Sequence, residues 1–112
     1  MFNYFFKKQS RLLSTLQFQA VYKKHIKIIR SEFICLGRIN DLNFPRLGIS
    51  ISKKKIKKSH DRNRIKRLIR ESFRTKQNKL ISMDMIIIVK KDLKLKDNKF
   101  IIHRLQSLWI YK

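Results

Sequence analysis

The stretch from Ser59 to Lys76 constrains this chain more than any other, because its residues sort onto two sides of one helix. At roughly 100° per residue, Ile65, Leu68, Ile69 and Phe73 fall within one arc of about 140°, the stripe of a helix docked on a sheet. Asn63, Lys66, Arg67, Arg70 and Arg74 occupy a separate arc of about 100°. Ser59 is expected to cap the first turn, with Asp61 favourably placed near the positive end. Glu71 lies toward the edge of the basic arc rather than inside it, so the arginines are expected to lack a partner within the helix. A mixed charge stripe is ordinarily a solvated face. An unmixed one built on arginine, whose planar fork suits bidentate phosphate contact, points to a polyanion.

A second basic cluster, Lys53, Lys54, Lys55, Lys57 and Lys58, lies just upstream. From Lys53 to Arg74 there are 11 basic residues and 2 acidic ones, a net of +9 in 22 positions. Ordered elements on both sides argue against a flexible, non-specific arm. The whole chain repeats the imbalance, with 29 Lys plus Arg against 7 Asp plus Glu and a formal charge of +22, for which nucleic acid is the natural counter-charge.

The 112 residues suffice for one domain with a single core. Cys35, the only cysteine, excludes an intramolecular disulfide or a cysteine metal cluster and is expected in the core. The apolar patch Met1 to Phe6 is shorter than a signal-peptide core, and no apolar run approaches the roughly 20 residues that span a bilayer. The expected location is the cytoplasm, with no membrane partner. His25, His60 and His103 are scattered, none has metal-ligand spacing, and no nucleophile elbow or Gly-rich phosphate loop occurs. His60 and Asp61 are neighbours on a helix and are expected not to face each other. Neither a catalytic residue nor a metal ligand is therefore assigned to the protein.

Along the chain, residues 1–9 read as an N-terminal extension and 10–112 as the domain. Ser14 with Gln17 has the form of a capping box, opening a helix to about Lys24 whose stripe is Leu16, Val21 and Tyr22, joined by Phe18. Ile28 to Ile39 is expected as a strand, followed by a turn at residues 40–45. Residues 47–52 alternate, with Leu47, Ile49 and Ile51 toward a core and Gly48, Ser50 and Ser52 away from it. Asp84 to Val89 is a short strand, and Asp97 or Asn98 caps a last helix on which Ile101, Leu105, Leu108 and Trp109 share a face. Such an order describes an α+β helix/sheet sandwich.

The stretch FPRLGISISKKKIKKSHDRNRIKRLIRESFR, Phe44 to Arg74, closely resembles the signature of the bacterial ribonuclease P protein component. The likeness extends to Arg11-Leu12-Leu13, Gln17-Phe18, Val21-Tyr22, Leu36-Gly37-Arg38, Met83 to Lys91 and Leu105 to Trp109. The resemblance implies a ribosomal S5 domain 2-like fold of order α-β-β-β-α-β-α with a left-handed β-α-β crossover. It also implies an enzyme whose catalytic centre lies in ribonuclease P RNA, which uses magnesium ions bound mainly by the RNA. The protein would join that RNA one to one and would hold the 5′ leader of precursor tRNA. On matching positions, Lys53, Lys54, Arg62, Asn63, Arg64, Lys66, Arg67 and Arg70 look like RNA-binding residues. Phe18, Tyr22, Ser50 and Ser52 look like leader-cleft residues. In two departures from the family pattern, Lys57 stands where a loop glycine is common and Leu36 where a strand aromatic is usual. The alternatives are a structural ribosomal RNA-binding protein and a self-sufficient protein nuclease.

Overall fold

The structure, a computed structural model, describes residues 8–112. Most of the expected extension therefore lies outside the described residues. Lys8–Ser10 form one 3-10 turn, and Leu12 N–H donates to Leu47 O at 2.9 Å, so the entering chain runs along the edge of the sheet.

The elements are α1 (Thr15–Lys23), β1 (Ile26–Ile29), β2 (Phe33–Ile39), β3 (Arg46–Ser50), α2 (Ser59–Lys76), β4 (Met83–Val89) and α3 (Asn98–Gln106). They make one mixed α+β domain around a four-stranded sheet of order β1-β2-β4-β3. β3 and β4 are parallel and joined across α2, while the other pairs are antiparallel. No helix among the described residues is long and apolar enough to cross a membrane.

The single strand expected from Ile28 to Ile39 is instead a hairpin, turning at Arg30 to Glu32 where Arg30 N–H bonds Phe33 O at 2.8 Å. Its turn contains no glycine, proline or asparagine, and its partners are remote. Arg30 donates to Ser107 Oγ at 3.2 Å, and Arg104 Nε to Glu32 Oε1 at 2.7 Å. Burial pushes the Glu32 carboxyl up, but hydrogen bonds from Ser31 and Arg104 and the charge of Arg104 outweigh it, leaving the group below its ordinary value.

Residue alternation divides the sheet into two apolar faces. Phe33, Cys35, Leu47, Met83, Met85, Ile87 and Val89 join Ile65, Leu68, Ile69 and Phe73 of α2 and Ile101, Leu105, Leu108 and Trp109 of the α3 segment. Leu36 and Ile86 on the opposite face join Leu12 and Val21, so Leu36 is floor beneath α1 rather than an exposed cleft side chain. Cys35 is core as expected, its thiol pushed up to about 12 by burial. Trp109 donates to Ser72 Oγ at 2.8 Å and meets Phe73 edge-on.

The capping box at Ser14 forms, and Asp97 caps α3 through a 2.8 Å bond from Phe100 N–H. The expected α1 stripe is narrower than its pattern suggested: only Val21 is buried, Leu16 is 77% exposed and Tyr22 45%. A nine-residue helix resting on a sheet through one turn leaves its ends over solvent. On α2 the cap position is Lys58, one residue before Ser59, and no side chain caps it. Lys57 has no positive φ, since Asp41 is the only non-glycine described residue that does, so the missing glycine leaves no backbone strain there.

At one end of the α1-facing surface, Asp84 accepts from Arg46 Nε at 2.7 Å and Nη2 at 2.6 Å, and from Asn40 Nδ2 at 3.0 Å. The bonds to Asp84 outweigh burial and hold the Arg46 guanidinium above its ordinary pKa. Removing one partner of such a pair strands the other charge away from water. Arg46→Ala is expected to lower the free energy of unfolding by about 3–5 kcal/mol in urea denaturation; a loss below about 1 kcal/mol would show that Asp84 finds other partners.

Candidate nucleic-acid interface

Because Ile65, Leu68, Ile69 and Phe73 are turned into the core, the opposite side of α2 is forced outward. Asn63, Arg67 and Arg70 are exposed and Lys66 half-buried. Among the described residues no hydrogen bond or ion pair engages any of these four side chains. Arg74 differs: it pairs with Glu71 one turn earlier, contrary to the expectation of partnerless arginines, and this pairing draws the carboxyl below its ordinary range.

Arg62 and Arg64, placed with the RNA-facing set by the sequence, point elsewhere. Arg62 Nη1 donates to Ile56 O at 2.8 Å and Lys57 O at 2.7 Å, while Arg64 reaches the β4–α3 connection. The helical angle carried this signal, since Arg62 falls within the apolar arc and Arg64 roughly 60° beyond Arg67. Lys53 and Lys54 are exposed on the loop before α2. This loop is ordered by the fully buried Ile56 and by a turn in which Ser52 O accepts Lys55 N–H at 3.1 Å. Ser52 is thus a turn residue beyond the end of β3, with its hydroxyl also on Lys55 N–H at 3.2 Å, rather than a strand position.

On the other side of the sheet, paired residues form rows across β2, β4 and β3. Leu36, Ile86 and Gly48 make the row buried under α1; Ile34, Ile88 and Ser50 make the next, half-buried row. The open row beside α1 is an apolar floor with a hydroxyl at one end. On α1, Phe18 and Tyr22 have ring centroids 6.3 Å apart, Phe18 half-buried against Gly48 and Tyr22 exposed. Stacking of bases on such rings contributes about 1–3 kcal/mol each in single-strand binders.

The two surfaces meet around β3. A crevice of about 220 Å³ is lined by Arg11, Phe18, Gly48, Lys66 and Arg70. Gly48 permits the approach: a Cβ there would lie 2.7 Å from Phe18 Cζ and 3.1 Å from Leu12 Cδ1. Elsewhere, His60 Nδ1 does approach Asp61 Oδ1, at 3.2 Å, although helix neighbours were expected to diverge; the His60 side chain is almost wholly exposed, and among the described residues no third group joins the pair. No group of three or more His, Cys, Asp and Glu side chains converges among the described residues.

Fold and surface define a class: a small, strongly basic α+β protein with an open cationic helix face and a half-open apolar cleft. The model of the family Ribonuclease P matches residues 6–111. The ribonuclease P protein component of Buchnera aphidicola subsp. Acyrthosiphon pisum is 51% identical over 110 residues, covering 97% of this chain and 96% of the relative. Among solved structures, the Staphylococcus aureus RNase P protein superposes with a TM-score of 0.83 at 31% identity, covering 88% of this chain and 91% of that one. The Thermotoga maritima RNase P protein gives 0.79 at 28% identity, covering 88% and 93%. This chain belongs to the ribonuclease P protein family, the protein component of an endoribonuclease complex that processes tRNA. Nothing in these likenesses supports the ribosomal alternative.

Gly48→Ala is expected to lower stability by about 1–3 kcal/mol, the range for overpacking, and to lose most of that cost in a Phe18→Ala background. Equal costs in both backgrounds would show that the ring does not rest on Gly48.

Proposed function

We propose that this chain anchors the ribonuclease P RNA through the open side of α2 and holds the single-stranded 5′ leader of precursor tRNA in the cleft beside α1. Asn63, Lys66, Arg67 and Arg70 meet the phosphates of the catalytic RNA, with Lys53 and Lys54 extending the contact at the end of β3. Phe18 and Tyr22 stack leader bases, and Ser50 and Ser52 supply hydroxyls at the β3 end of the floor. The observation that carries the reading is the state of Arg67 and Arg70: both are exposed, and among the described residues no carboxylate pairs with either.

The RNA holds the magnesium ions and performs the hydrolysis, in a one-to-one complex in the cytoplasm. Magnesium and the protein's cations both screen phosphate repulsion, so each partly substitutes for the other. In a holoenzyme reconstituted with ribonuclease P RNA and a leader-bearing precursor, Arg67→Ala and Arg70→Ala are expected to reduce cleavage more at low magnesium than at high. RNA binding should also lose roughly 0.7–0.9 of its log–log salt slope per phosphate contact removed. Equal losses at both magnesium concentrations, with an unchanged slope, would contradict the reading.

A further inference from the structure

Arg64 ties α2 to the β4–α3 connection through four hydrogen bonds. Its guanidinium donates to Leu93 O at 3.2 Å, Lys94 O at 3.3 Å, Lys96 O at 2.8 Å and Asn98 Oδ1 at 2.5 Å. Nη2 serves the three carbonyls and Nη1 the Asn98 amide oxygen, so both terminal nitrogens are committed to neutral acceptors of one segment. Because none of these acceptors is a carboxylate, the positive charge is not cancelled and adds to the local field.

The segment so held is itself basic. Residues 90–99 contain five lysines and two aspartates, and both aspartates have local duties. Asp97 caps α3, and Asp92 accepts from Lys94 N–H at 3.0 Å, with Lys94 Nζ a weak 3.6 Å from it. Leu93 is buried and pins the start of the segment, while Leu95 at its tip is 91% exposed, so no described part of the chain covers this edge. Lys94, Lys96 and Lys99 are exposed, and Lys96 Nζ is held 5.0 Å above the Phe100 ring. Arg67 lies one turn along α2 from Arg64, so this edge continues the flank on which the free arginines stand.

We propose that Arg64 is a positioning residue that locks the β4–α3 connection against α2, and that this connection presents Lys94, Lys96 and Lys99 as a second phosphate-contacting edge for the ribonuclease P RNA. This rests on the RNA-anchoring reading of α2. A phosphate backbone suits such an edge because it supplies charge at every nucleotide along a continuous path. A lysine at position 64 would keep the charge but, with one nitrogen in place of two, could not hold both the carbonyls taken by Nη2 and the Asn98 amide oxygen taken by Nη1.

The test is the salt dependence of binding to ribonuclease P RNA for four proteins: the natural chain, the Lys94→Ala/Lys96→Ala/Lys99→Ala triple variant, Arg64→Lys, and the two combined. For two or three lost contacts the triple variant should lower the log–log slope by roughly 1.5–2.5, with an unchanged melting temperature. Arg64→Lys should lower the slope despite its retained charge, should speed amide exchange at residues 94–96, and should add nothing to the triple variant. A native slope in the triple variant or in Arg64→Lys, or additive losses in the combination, would overturn the proposal. A natural chain that does not bind this RNA at all would instead overturn the reading of α2, which is a distinguishable result.

Discussion

Burial of Ile65, Ile69 and Phe73 in one cluster with Leu47, Met85 and Ile87 fixes the rotation of α2 about its own axis, and every cation on that helix is placed by that rotation. Each such side chain contributes about 1.5–3 kcal/mol by leaving water. Repulsion among the exposed cations is screened within about 8–10 Å at physiological salt. The apolar anchors therefore win, and the helix tolerates a charged outer face with few internal counter-ions. Arg67 and Arg70 remain available because Glu71, the carboxylate that shares their helix, is engaged by Arg74.

α1 and α2 lie on opposite faces of the sheet, so their surfaces could have been unconnected. They communicate because β3 is an edge strand of five residues, around which the Phe18 ring and the Lys66 and Arg70 side chains line one crevice. Gly48 is the point of closest approach, and its missing side chain lets the aromatic settle against the strand. The crevice therefore sets Arg11, Lys66 and Arg70 beside the Phe18 ring. Arg46 and Asp84, at the far end of the same face, hold the sheet that both helices use as a floor.

Much of this was legible in the sequence because it is local. The limits of α2, the Ser14–Gln17 box, the Asp97 cap and the apolar face of α3 follow from spacing alone. Features decided by remote partners were not. The β1–β2 turn is held by α3 side chains more than 70 residues away, and its β-branched flanks look like one strand. The Ser52 turn depends on Ile56 reaching the core. Arg62 and Arg64 are an intermediate case: the motif groups them with Asn63, whereas the helical angle separates them, and the angle describes where their side chains go. The Glu71–Arg74 pair was likewise available as a three-residue spacing.

Cys35 is the sole cysteine and is buried, with its thiol pushed up to about 12, so a cysteine introduced at an exposed position is the one readily labelled thiol. An iron chelate tethered through Asn63→Cys, on the open side of α2, can therefore report which RNA segments lie against that helix by local strand cleavage. With ribonuclease P RNA bound at saturation, cleavage confined to a few nucleotide clusters is expected from position 63 and not from a chelate tethered through Gln106→Cys at the end of α3. No localised cleavage from position 63, or the same pattern from both sites, would contradict the placement of RNA on the cationic side of α2.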